Sequence, residues 1–139
     1  SNAMTDTEQT RALARKYFDT LNGRAWEEFA ALLAEDVRYE LPQTSERITG
    51  RADYLRFNQE YPGDWQLTVT RLLADGPSAA VSVNLTLGDE RLVGVVFLEV
   101  VDGLVSRVTD FWPEAYEPPP GREHLVERVP AELDRFGDS

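Results

Sequence analysis

The sequence predicts an α+β domain: N-terminal helices packed on a curved sheet of four to six strands, mixed but mostly antiparallel, in a cone-shaped barrel. Three observations carry this prediction. Apolar stripes at helical spacing fill the first part of the chain. Runs that alternate at strand spacing fill the part after residue 65. Turn signals separate those runs, so they form a meander. Helices followed by a meander place a helical layer on one face of a sheet. If that sheet curves, the cone has an open end suited to a small molecule.

Ser1-Asn2-Ala3 ahead of Met4 reads as a tag remnant and stands outside the fold. Residues 4–116 form the expected domain, and residues 117–139 a tail led by Pro118-Pro119-Pro120-Gly121. The first helix spans 6–22, with Asp6 or Thr7 as cap and Gly23 at its end. Leu13, Tyr17 and Leu21 form its apolar stripe. A second helix spans about 25–34, with Trp26, Phe29, Leu32 and Leu33 inward. VRYEL, residues 37–41, alternates as a strand that Pro42 ends, and 43–49 reads as a polar loop. A third helix covers about 51–60 and carries Tyr54, Leu55, Phe57 and Asn58, until Pro62-Gly63 stops it. Strands follow at 66–73, 79–87, 91–100 and 104–112. In the tail, HLVERV suggests an extended piece and AELDRF a short helix.

Composition excludes several functions. The chain has 139 residues, 42% of them hydrophobic, which suits one domain with one core. A net charge of −11 argues against nucleic acid and against anionic membranes. There is no cysteine, hence no thiol nucleophile and no thiolate metal site. The one histidine, His124, lies in the tail and reads as incidental. No metal and no cofactor are expected. With no long apolar run and no signal peptide, a cytoplasmic protein is expected.

The hairpin over 95–112 holds the most informative residue. Asp102-Gly103 is a type I′ turn signal that pairs Val101 with Leu104. Strict counting then sets Phe97 opposite Val108 and Val95 opposite Asp110. Val95, Phe97, Val108, Asp110 and Trp112 would share one face, so a lone carboxylate sits among apolar groups. Such a group must sit in a wet cavity, stay protonated or face solvent. Val96, Leu98, Val100, Val105 and Phe111 would form an outer face too apolar for water. A two-fold homodimer through that sheet face is expected, the alternative being cover by the tail.

Three segments also carry a family resemblance: KYFDTLNGRAWEEFAALLAEDVRYELP, ITGRADYLRFN and EVVDGLVSRVTDFW. They resemble the nuclear-transport-factor-2-like superfamily, which includes ketosteroid isomerases and SnoaL-like polyketide cyclases. The resemblance covers about residues 8–112 and speaks to fold more than to reaction. Tyr17 matches the isomerase tyrosine that donates to an oxyanion. Leu41 stands where the isomerase base would be, and Val95 where its protonated aspartate would be. Asp110 matches the acid/base aspartate on the last strand of the cyclases, whose partner histidine has no counterpart here. Limonene-epoxide-hydrolase relatives use an Asp-Arg-Asp relay, and only Asp110 of that relay is found.

The candidate catalytic residues are therefore Asp110, to move a proton, and Tyr17, to polarise a carbonyl. Tyr39, Leu41, Tyr54, Phe57, Asn58, Trp65, Val95, Phe97, Val108 and Trp112 are the candidate pocket wall. The expected ligand is a small apolar or aromatic molecule. A cofactor-independent isomerase, cyclase or dehydratase stands beside a non-catalytic binding module and, behind both, an interaction protein.

Overall fold

The structure, a computed structural model, describes residues 5–129. Among these residues, three helices pack on a curved, unclosed sheet of six strands. Helix α1, Asp6–Asn22, is capped by Thr5 rather than by Asp6 or Thr7. Thr5 and Glu8 exchange side-chain and backbone bonds in a capping box. Helix α2, Trp26–Ala31, ends earlier than its apolar spacing suggests. Leu33 already belongs to strand β1, Leu33–Leu41, because it pairs with Val105 of β6. Strand β2, Glu46–Thr49, follows in the stretch that reads as loop. Then come α3, Arg51–Glu60, and the strands β3, Gln66–Asp75, β4, Ser78–Leu87, β5, Glu90–Val101, and β6, Leu104–Phe111.

The strand order is β2-β1-β6-β5-β4-β3. All neighbours are antiparallel except β1 and β6. Helix α1 lies on β3 and β4, and α3 lies on β1. Two bonds pin the start of α1 to the β3–β4 turn: Thr10 Oγ1 donates to Gly76 O at 2.7 Å and Gly76 N to Thr7 Oγ1 at 2.9 Å. The core holds Phe29, Leu33, Val37, Val81, Val83, Leu98, Val105 and Val108, all buried.

The β5–β6 hairpin departs from strict alternation. Asp102 and Gly103 both have positive φ, as a type I′ turn requires. Val101 pairs with Leu104 and Val100 with Val105, but Glu99 pairs with Arg107. Ser106 is thus an extra residue, a β-bulge, and its Oγ donates to Glu99 O at 3.1 Å. From there the register is offset by one, and Asp110 faces Val96, not Val95. A one-residue offset exchanges the faces of the strand. Val96 and Leu98 are therefore core, while Val95 and Phe97 lie on the outer face. Val105 is also interior, which corrects the outer face expected from the sequence. The comparison of Val95 with an isomerase aspartate falls with that register.

Residues 113–129 are exposed apart from Pro118, and 124–129 form no strand. AELDRF lies outside the described residues. No helix among the described residues is long and apolar enough to cross a membrane.

The register makes a paired prediction. Leu98 is 0% exposed and Phe97 43%. Leu98→Ala should cost about 2–5 kcal/mol in urea unfolding of dilute protein. Phe97→Ala should cost under about 1 kcal/mol. The reverse order of the two would restore Phe97 to the core and remove the bulge.

Candidate functional site

A cavity of about 800 Å³ opens between the helices and the sheet. Nine sequence-predicted residues line it: Tyr17, Tyr39, Leu41, Tyr54, Phe57, Asn58, Trp65, Asp110 and Trp112. Val95 and Phe97 are absent from it because the bulge turns them outward. Val108 faces inward but is buried in the core beneath. Gln43, Tyr61, Leu92 and Val96 join the wall without having been expected, as do Glu90 and Glu114.

Three tyrosines from three elements meet here. Tyr17 on α1, Tyr54 on α3 and Tyr39 on β1 are 2%, 2% and 3% exposed, so they form a packed floor. The Tyr39 and Tyr54 rings stack, with centroids 4.9 Å apart. The Tyr17 and Tyr54 hydroxyls share a hydrogen bond. Tyr17 is thus not a free donor; its hydroxyl is paired with that of Tyr54. Burial pushes all three phenols well above their ordinary range, and the negative charge of Asp110 adds to it. They stay protonated and serve as neutral donors.

Asp110 is half-buried at this floor. Tyr39 Oη donates to its Oδ2 at 2.9 Å and Trp112 Nε1 to the same oxygen at 3.3 Å. Among the described residues, Oδ1 receives no hydrogen bond from the protein. Desolvation pushes the carboxyl up to about 6, against the pull of the Tyr39 and Trp112 donors. Of the three states open from sequence, the cavity is the one realised, with ionisation near neutrality.

Close packing holds the arrangement. Trp112 lies against Gly94 of β5, where a Cβ would come within 2.4 Å of the indole. Trp112 N also donates to Gln43 Oε1, which ties the β1–β2 turn to the end of β6. Asn58 Nδ2 donates to Tyr54 O at 2.9 Å, one turn back in α3. Among the described residues, no three His, Asp or Glu side chains converge as a metal set.

The sequence matches the SnoaL-like domain family over residues 14–108. The chain belongs to that family. The match stops two residues before Asp110, so membership speaks for the scaffold and not for the acid. No curated protein matches the sequence. Solved structures share the fold. An NTF-2 like protein of unknown function from Burkholderia xenovorans superposes with a TM-score of 0.75 at 19% identity, covering 88% of this chain and 97% of that one. An LEH-like epoxide hydrolase of M. tuberculosis gives 0.67 at 20% identity, over 77% and 84% of the two chains. A candidate polyketide cyclase of Pseudomonas putida gives 0.62 at 26% identity, over 80% and 93%.

Burial of Asp110 sets a pH dependence. Its carboxyl binds a proton more tightly folded than unfolded, since about 6 exceeds the ordinary 3.8. The Asp110 contribution to stability is therefore fully present below about pH 4 and is lost as the pH rises through about 6. Asp110→Asn should stabilise the SnoaL-like domain at pH 7.5 by about 1–3 kcal/mol relative to its effect at pH 4. Urea unfolding at both pH values measures the difference. An equal effect at both would mean an ordinary carboxyl.

Proposed function

We propose that the cavity binds a small, largely apolar or aromatic molecule and that Asp110 transfers a proton within it. One observation carries this reading: a carboxyl that ionises near pH 6 lines the cavity with Oδ1 unbonded. As carboxylate, Asp110 would take a proton from the carbon beside a ketone. The enolate oxygen would accept a hydrogen bond from the Tyr17–Tyr54 hydroxyl pair. Asp110 would then return the proton to another carbon, in an isomerisation, or to a departing hydroxyl, in a dehydration. In the cyclase variant the enolate carbon would attack a second carbonyl of the same molecule, whose C=O π bond opens and whose oxygen takes the proton from Asp110. The chemistry of the structurally similar epoxide hydrolase finds less support, because no arginine among the described residues lines the cavity to form its relay.

The reading is tested by deuterium exchange into a panel of cyclic aryl ketones such as 2-tetralone, followed by NMR in D₂O. The wild type should accelerate exchange, and Asp110→Asn should slow it about 100-fold or more. Ketone affinity should change by less than about threefold, since Asn keeps the shape and accepts the same bonds. Equal exchange by the two proteins would leave a non-catalytic binding module. That module is favoured by the absence of a second carboxylate or a histidine in hydrogen-bond contact with Asp110 among the described residues.

A second feature supports a homodimer. The outer sheet face exposes Leu73, Val93, Val95 and Phe97, with Phe111 edge-on to Phe97. The described tail is itself exposed, so another copy is the better cover. Sedimentation at micromolar concentration should give a dimer, and Phe97→Glu a folded monomer. A wild-type monomer at the highest soluble concentration would remove this reading.

A further inference from the structure

The cavity has a charge asymmetry that proton transfer does not use. Three carboxylates line it: Asp110 at the floor, and Glu90 and Glu114, both exposed. No lysine, arginine or histidine lines it among the described residues. Arg24 touches the wall, with its guanidinium carbon 3.4 Å from the centroid of the Trp65 ring. It is already engaged, donating to the carbonyls of Asn22 and Trp65. The net charge of −11 adds the same sign at long range.

Among the described residues, Asp110 has no counter-ion. Its two partners are neutral donors, and both reach Oδ2. Folding has already stripped much of the water from this carboxylate, so a weakly hydrated ammonium can pair with its unbonded oxygen at little further desolvation cost. An anionic ligand would meet three like charges. A bare metal ion lacks converging ligands, because the acidic side chains do not cluster among the described residues. The charge is spread around a wide cavity instead. Phe57 and Trp112, both half-buried, supply aromatic surface in the same wall. Aromatic faces with a carboxylate among them are the setting that holds an ammonium centre.

We infer that the ligand of this cavity is an organic cation: an ammonium centre against Asp110 Oδ1, with its alkyl or aryl groups on the aromatic wall. This rests on the cavity being the ligand site proposed above and adds the ligand's charge. The two are compatible, since the cationic centre orients the ligand and the proton is moved at a neighbouring carbon.

Calorimetric titration of the full chain at pH 7.5 tests it with three probes of similar shape. They are 3-hydroxyphenyltrimethylammonium, neutral 3-tert-butylphenol and anionic 3-tert-butylbenzoate. The cation should bind about tenfold or more tighter than the phenol, and the benzoate weakest. Asp110→Asn should weaken the cation about tenfold and the phenol by less than about threefold. Glu90→Gln and Glu114→Gln should each weaken the cation about twofold, an effect that salt removes. Binding of the phenol as tightly as the cation overturns the inference and leaves the cavity reading standing. So does cation affinity that is unchanged in a folded Asp110→Asn variant. Binding of none of the probes overturns both.

Discussion

One extra residue in β6 decides what the cavity contains. Were Ser106 paired in the ladder instead of bulged, the hairpin count would set Arg107 opposite Leu98 and Thr109 opposite Val96. The inner face of β6 would then carry an arginine and a threonine, and Asp110 would point away from the helices. With the bulge, Val108 meets Leu98 and Asp110 meets Val96 on the inner face. The serine hydroxyl on Glu99 O takes up a carbonyl beside the offset. The parallel neighbour completes the arrangement. Tyr39 of β1 sits beside Val108, two residues from Asp110, within reach of its carboxylate.

The acidity of Asp110 is then a balance of two opposed effects. Removal from water favours the protonated form, and the two donors on Oδ2 favour the charged one. Desolvation wins, but not by enough to keep the proton at pH 7. Trp112 takes part in both, since its ring shields the carboxylate and its Nε1 bonds it. The ring can lie there only because β5 has Gly94 beneath it. A side chain at 94 would lift the indole and alter both effects together. A glycine inside a strand is thus a positioning residue for the acid.

Much of this architecture was legible in the order of the periodicities. Helices before a meander, the Asp102-Gly103 turn and most of the aromatic wall are visible at that level. The phase of β5 was not. VGVVFLEVV is apolar at both parities, so burial alternation gives no face, and the turn alone propagates a register. A signal was present in β6, where Val105 and Val108 are three apart. That spacing conflicts with a period of two unless one residue bulges. Strand β2 was hidden for a different reason. It is a short edge strand, and of its four residues only Ile48 is partly buried. The carboxylates Glu90 and Glu114 were illegible because they approach the cavity only once strand ends and tail are placed.

Could Asp110 serve the fold alone? Asparagine at that position would accept the same two hydrogen bonds through its carbonyl oxygen. It would do so without the desolvation that raises the carboxyl to about 6. Packing around Gly94 and Trp112 would also be unchanged, because the two side chains are nearly isosteric. A purely structural account therefore favours asparagine at neutral pH, where the acid is ionised at a cost in stability. What the acid adds is a charge and an exchangeable proton. With Oδ2 held by Tyr39 and Trp112, both are offered at Oδ1, the oxygen with no partner in the protein.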